Sequence, residues 1–204
     1  MGDLGTSLGV AFAALFPIVN PIGGAPVFYA LTEGEGRGRT VQALRTGLNV
    51  ALILIVGLLL GRFVLKAFGL SLAEIRIAGG LIVAHTAWRM VNSDPRITAG
   101  EEKGARKKQD ISFTPMAMPL LAGPGAIGVV VGIAAHGHSW GDYIGYVIGI
   151  VLIAASVFAC LAVSGTIFKR LGPNGIGVLN RIFGFLILAI AVALVSRGVL
   201  AIAG

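Results

Sequence analysis

Six long apolar runs, separated by polar connections, account for almost the whole chain. They cover approximately residues 4–31, 40–65, 72–92, 111–135, 142–168 and 175–202. Each reaches the roughly 20 residues that a membrane-spanning helix needs. The third run is preceded by Ser71, with Glu74 three positions later, a capping box that marks a helix start. The sixth follows Gly172-Pro173-Asn174, a stop and then an N-cap. One long polar connection, Ser93 to Asp110, divides the runs three and three. The pattern predicts an all-α integral membrane protein of six transmembrane helices in a single membrane domain, 1–204. Residues 1–92 form a first repeat, 93–110 a linker and 111–204 a second repeat. The first run has no Lys or Arg before Leu4 and stays apolar past residue 25, so it reads as a retained span rather than a secretory signal.

Composition sharpens this picture. Hydrophobic residues make up 56% of the chain and charged ones 12%, whereas a soluble domain carries about 25% charged residues. The net charge of +7 would suggest nucleic acid if it were clustered on one surface, but it lies between the apolar runs. Arg37, Arg39, Arg96, Lys103, Arg106, Lys107, Lys108, Lys169 and Arg170 fall in loops 1–2, 3–4 and 5–6, and only Arg62 and Lys66 in the opposite loops. Nine against two places the basic loops in the cytoplasm, with both termini extracytoplasmic. A lone cysteine, Cys160, excludes a disulfide framework or cysteine metal cluster within one chain.

The two halves echo each other. Arg76-Ile77-Ala78-Gly79-Gly80-Leu81-Ile82 matches Arg181-Ile182-Phe183-Gly184-Phe185-Leu186-Ile187 at five of seven positions. Runs one and four both carry proline and glycine, in Pro17-Ile18-Val19-Asn20-Pro21-Ile22-Gly23-Gly24-Ala25-Pro26 and Pro115-Met116-Ala117-Met118-Pro119-Leu120-Leu121-Ala122-Gly123-Pro124-Gly125. Three spans is an odd number, so the second repeat enters the membrane inverted, an arrangement found in many secondary transporters. Proline removes a donor and clashes with the preceding turn, so each motif should break its helix. In hydrocarbon such a break persists only where protein, water or ligand satisfies the freed groups. Gly123-Pro124 reads as the start of a new half-helix, and Asn20-Pro21 as a similar restart. Two half-helix N-termini facing each other near the midplane would suit a carboxylate. The plainer alternative is a pair of kinks that ease helix packing.

These motifs, Asn20-Pro21-Ile22-Gly23-Gly24-Ala25-Pro26 with Pro119-Leu120-Leu121-Ala122-Gly123-Pro124-Gly125, resemble the MarC-type family, which includes SnatA-like transporters of small neutral amino acids. The resemblance covers essentially the whole chain. It implies a six-helix, three-plus-three inverted fold with helices 1 and 4 discontinuous, and glycine or alanine transport by some members. Gly24-Ala25 departs from the larger or more polar residue of many relatives. The candidate substrate-binding residues are Asn20, Pro21, Gly23, Gly24, Gly123, Pro124 and Gly125.

Further polar residues lie within the runs. Arg76 and Arg181 share a repeat position and are candidate gate charges, or long stems that snorkel to the two interfaces. His85 is a candidate coupling residue, since histidine exchanges protons in the physiological range, or else a satisfied histidine. No Asp or Glu sits in the middle of a run. Gly57 with Gly61, and Gly141, Gly145 and Gly149, form small-residue ridges suited to close helix packing. Ser156, Cys160 and Ser164 share one helical face that either lines a path or bonds its own backbone. His136 and His138 are a weak metal signal, so no metal and no cofactor is expected.

The leading expectation is a secondary transporter or exchanger of small neutral amino acids in the cell membrane, coupled to a proton or sodium ion. An exporter of drugs or other small apolar solutes is the alternative. A membrane-embedded enzyme would need paired carboxylates, a His–Glu metal set or paired cysteines, and the sequence shows none of these sets. The expected partners are the substrate and the lipid bilayer, with a homo-oligomer left open and nucleic acid excluded.

Overall fold

Capping residues and glycines set where the helices begin and end. In the computed structural model, which describes residues 4–32, 38–92, 97–106, 108–136 and 139–203, every regular element is helical. Helices α1 (Leu4–Val19) and α2 (Pro21–Leu31) meet at Asn20 with a 42° bend. Helix α3 runs from Gly38 to Phe68 and α4 from Leu72 to Val91. Helix α5 (Ala99–Arg106) lies in the long polar connection. A wide-turned segment, Ser112–Leu121, leaves helical geometry at Thr114 and Met118, and meets α6 (Pro124–His136) at 65°. Helix α7 spans Trp140–Ala162, and α8 spans Ser164–Ala203 with a kink at Gly172.

The local reasons are visible. Helix α3 stops at Gly69, which takes a left-handed φ of 65°, and Leu70 N–H closes onto the Leu65 carbonyl at 2.9 Å. Helix α4 starts at the capping box: Ser71 Oγ accepts from Glu74 N–H at 3.3 Å, and the Glu74 carboxylate from Ser71 N–H at 2.6 Å. A second box, Ser139 with Asp142, opens α7. Asp142 also accepts from Ser7 Oγ at 2.8 Å, tying α1 to α7. The fifth run was expected to continue to residue 168, but the helix turns at Val163 and restarts at Ser164. Apolar continuity through Val163 hides that turn from a hydropathy reading. Within Ser164–Ala203 the chain leaves helical geometry at Gly172, with φ 62° and ψ 177°, so the long apolar helix Asn174–Ala203 begins just after it, where the Gly172-Pro173-Asn174 signal predicts.

Small residues let these helices touch, as expected where lipid offers no hydrophobic drive to association. Cβ atoms built on Gly145 and Gly149 would lie 2.8 Å from Leu4 O and from Ala11 Cβ of α1. On Gly57 and Gly61 they would lie 2.9 and 2.6 Å from Val130 and Val131 of α6. Helix α4 runs antiparallel to α8, with Gly198 against Ala73 and Ile77, Gly80 against Ala191 and Val195, and Gly184 against Ala87 and Met90. Large apolar side chains such as Leu52, Leu59, Phe63, Leu81, Phe185 and Leu200 face outward. Helices α3, α7 and Asn174–Ala203 are each long and apolar enough to cross a membrane, and each bent pair is so when taken together. Helix α4 has 20 residues but is not in that set; it carries Glu74, Arg76, His85 and Arg89.

The bundle has two ends. The terminal face gathers the starts of α1, α4 and α7 and the ends of α3, α6 and α8; there Arg62 donates to Tyr143 Oη at 3.3 Å, and Tyr143 Oη to the Ala134 carbonyl at 3.2 Å. The linker face carries the 97–110 connection. There Arg45 pairs with Asp110 at 2.6 Å, Asp110 accepts from Ser112 N–H at 2.8 Å, and Gln42 Oε1 accepts from Ile111 N–H at 3.1 Å. Hydrogen bonds from Ser112, helped by Arg45, hold the Asp110 carboxyl below the ordinary carboxylate range. These contacts fix the chain where it leads into the second break.

Candidate functional site

The first break is closed by its own residues. Asn20 has φ 46° and ψ 66°, a left-handed conformation that asparagine adopts more readily than most side chains. Its Oδ1 accepts from Gly23 N–H at 3.0 Å, and its carbonyl from Gly24 N–H at 3.1 Å. Its Nδ2 points to Met90 Sδ, 3.6 Å away on α4, and the residue is only 2% exposed. A Cβ on Gly23 would collide with the Asn20 side-chain amide, so glycine is needed for the cap to form. Pro21, Gly23 and Gly24 are all buried. The Gly23 and Gly24 amides, expected to be free for a ligand, are therefore already bonded within the chain. The reason is local: an asparagine at the N-cap reaches these donors before anything else can.

The second break is open. The first helical bond of α6 runs from Ile127 N–H to the Gly123 carbonyl at 3.1 Å. Pro124 has no N–H, and the Gly125 and Ala126 amides lie ahead of that bond, where a helix has no carbonyl of its own to offer. A cavity of about 70 Å3 lies against this turn, lined by Gly123, Pro124, Gly125 and Ala126 and by Val83 and Met90 of α4. A Cβ on Gly123 would collide with the Pro119 carbonyl oxygen, and one on Gly125 would come within 2.6 Å of Val83 Cγ2. Next to it lies a cavity of about 300 Å3 that shares Thr86, Met90, Pro119, Leu120 and Pro124 and reaches Arg89 and Thr98 at the linker face. Met90 links the two breaks, since it takes the Asn20 amide and walls the smaller cavity.

The other sequence candidates are dispersed. Arg76 is half-buried and lines a separate cavity near the terminal face, while Arg181 is exposed toward the linker face. His85 is exposed beside Leu81 and Trp88, on the side of α4 away from buried Val83 and Ala87. Ser156 donates to the Leu152 carbonyl at 2.8 Å, the backbone bond common for serine in membrane helices. Asn49 donates to Ser112 Oγ at 3.2 Å on the linker face. Arg37, Arg96, Lys107 and His138, and the side chains of Arg106 and His136, lie outside the described residues. No group of three or more metal-ligating side chains occurs among the described residues. Sequence reasoning passed over Met90, Thr86, Arg89 and Arg197. The two arginines carried a readable signal, being charges within or at the end of an apolar run.

Broken helices beside a small cavity, in a bundle with several long apolar helices and large apolar side chains facing outward, define an all-helical integral membrane protein. The chain belongs to the MarC family: the profile for the MarC family integral membrane protein matches residues 5–203. Similar proteins include the UPF0056 inner membrane protein MarC of Salmonella typhimurium, 33% identical over 218 residues that cover 99% of this chain and 98% of that one. The UPF0056 membrane protein YvbG of Bacillus subtilis is 32% identical over 192 residues, 92% of this chain and 91% of its own. A UPF0056 membrane protein of Buchnera aphidicola subsp. Schizaphis graminum is 33% identical over 190 residues, 92% and 89%. No solved structure matches the chain.

Proposed function

We propose that this protein is a SnatA-like secondary transporter or exchanger of small neutral amino acids, of the glycine and alanine class, in the cell's inner membrane. The observation that carries this reading is the cavity of about 70 Å3 at the first turn of α6. The free amides of Gly125 and Ala126, at the positive end of a helix dipole, suit a carboxylate. The hydroxyl of Thr86, which already donates to the Ile82 carbonyl at 3.1 Å, keeps lone pairs for an ammonium. Liquid water occupies about 30 Å3 per molecule, so the space suits a solute of a few heavy atoms and disfavours an exporter of bulky drugs.

The packing supports an inverted pair of three-helix repeats, with α4 as the sixth span. Exchanging the two halves turns the contacts of α3 with Ser112–Leu121 and with α6 into those of α7 with α1 and with α2, and leaves the α4–α8 contact in place. The linker face is cytoplasmic and both termini are extracytoplasmic, as the loop charges favour. A cysteine at exposed Gly100 resists an impermeant thiol reagent on intact cells in a Cys160→Ala background; ready labelling reverses the orientation. Transport is tested in liposomes with labelled glycine and alanine, with and without proton and sodium gradients. Gradient-driven uptake or exchange is expected, and failure of every neutral amino acid under both gradients and in counterflow overturns the proposal. If the proton is the coupling ion, His85→Gln tests the histidine.

A further inference from the structure

A cavity of about 280 Å3 lies near the terminal face, lined by Arg76 of α4 and Arg197 of α8 among mostly apolar walls. Its inner wall is made by Gly79 of α4 and Gly128 of α6, and Gly132 stands on its side. Along α4, the cavity ends at Gly80 and the central cavity begins at Ile82; along α6, it ends at Gly128 and the central one begins at Ala126. The two spaces are thus separated by less than one helical turn of about 5.4 Å on each helix. What separates them is thin. A Cβ on Gly128 would lie 3.4 Å from Gly79 Cα, and one on Gly125 2.6 Å from Val83 Cγ2. Beyond the central cavity, the third space opens to Arg89 at the linker face. Three cavities therefore follow one seam between α4 and α6, with arginine at each mouth.

We propose that the terminal-face cavity is an outer binding site for small carboxylates, held by Arg76 and Arg197, and that the Gly79–Gly128 and Val83–Gly125 contacts form the gate between it and the central site. Two guanidinium groups supply charge and hydrogen-bond donors for one carboxylate, while the apolar walls take a short side chain and exclude a long polar one. Glycine at 79 and 128 lets two backbones close the seam with little side-chain bulk, so a small separation of α4 from α6 joins the spaces. The continuity of the path rests on the transport reading above; the anion preference of the outer cavity does not.

The test uses purified full-length protein in liposomes, carrying Gly132→Cys and Cys160→Ala. A Cβ at Gly132 meets only Leu72 Cδ1, at 3.9 Å, so the new side chain is accommodated. Rates of modification are compared for an anionic sulfonate thiosulfonate and a cationic trimethylammonium one. The anionic reagent should react roughly tenfold faster, in keeping with focusing of charge in a low-dielectric cleft. Arg197→Gln should reduce that ratio, and Arg76→Gln with Arg197→Gln should abolish it. Alanine should slow the anionic reagent, while alaninamide should not. Equal rates for the two reagents, or a ratio indifferent to both arginines, overturn the site. Labelled alanine uptake, measured in liposomes holding the Gly132 parent chain, separates the two proposals. Uptake without charge selectivity removes the outer site and leaves transport standing, whereas selectivity with alanine protection but no uptake retains the site and removes transport.

Discussion

The two helix breaks have the same ingredients and opposite outcomes. At the first, Asn20 folds back onto Gly23 N–H and the break closes on itself. At the second, Gly123 stands in the equivalent place with no side chain to fold back, and the turn it starts faces a cavity. One break is a finished structural joint, and the other is a helix end available to a ligand. An N-cap side chain contributes about 1 kcal/mol to a helix, and a chain that omits it leaves those donors for something else. The difference between an asparagine and a glycine thus leaves the first-turn donors bonded within the chain at one break and facing a cavity at the other. A functional break inside a membrane is recognised by the donors it leaves unsatisfied, and proline content alone does not reveal them.

Substitutions should separate these roles. The largest effect is expected at Gly123, where even a Cβ meets the Pro119 carbonyl. Gly123→Leu should abolish alanine binding by the purified protein, a loss of at least roughly 100-fold or about 3 kcal/mol. The milder Gly125→Ala, opposed only by the Val83 side chain, should weaken binding with the unfolding midpoint nearly unchanged. Unchanged affinity in both variants would show that the second break is not the site. Next in size is the ligand's own charge. Alaninamide should compete about 10- to 100-fold less well than alanine, since hydrogen bonds to a charged group contribute about 1.5–3 kcal/mol. Equal competition would remove the carboxylate from the second break.

Asn20→Ala comes third. It should destabilise the protein by about 2 kcal/mol, through the lost cap and a left-handed backbone that alanine resists. Asn20→Gly should cost less, because glycine tolerates the backbone while the cap is still lost. Both changes should register in unfolding and only weakly in alanine affinity. A tenfold loss of affinity with unchanged unfolding would place Asn20 on the ligand and erase the contrast. The smallest effect concerns acid. Asp110 holds the chain leading into the second break, and its carboxyl lies below its ordinary value in the folded state. Its contribution is therefore present above the unfolded pKa of about 3.9 and is lost as pH falls through the folded value. The pair is substantially exposed, so roughly 0.5 kcal/mol is expected. Amide exchange in 112–121 should accelerate below about pH 4 relative to α2, and Asp110→Asn should show the faster exchange already at neutral pH. Parallel behaviour of both arms would indicate that Asp110 does not pin the second one.

Much of the fold was legible along the chain, and the errors are instructive. Ser71 and Glu74 announced α4 because a capping box is complete within four residues. The equivalent Ser139 and Asp142 were readable in the same way and were passed over. The turn at Val163 left no mark because the residues around it are apolar or small on both sides. His85 looked like a candidate for proton exchange by residue type, yet the orientation of α4 puts it outside, beside Leu81 and Trp88. Orientation depends on which face of α4 meets α6 and α8, and no local pattern states this. Arg76 and Arg181 share a repeat position and lie toward opposite faces, but that equivalence does not reveal that Arg197 of α8 shares the cavity of Arg76.

The sequence by itself determined where most helices start and stop and that runs one and four break. Those outcomes follow from bonded neighbours: a proline removes its own N–H, a serine caps the next turn, and a glycine takes a positive φ. Only the tertiary structure decided what surrounds each break. While the Asn20 oxygen stays on Gly23, three residues on, its side-chain amide meets Met90, which comes from 70 residues away. The wall of the open break is likewise Val83, brought to Gly125 by the approach of α4 to α6. Satisfaction of a buried polar group is a property of space rather than of chain order, so the site emerges only when the helices are assembled.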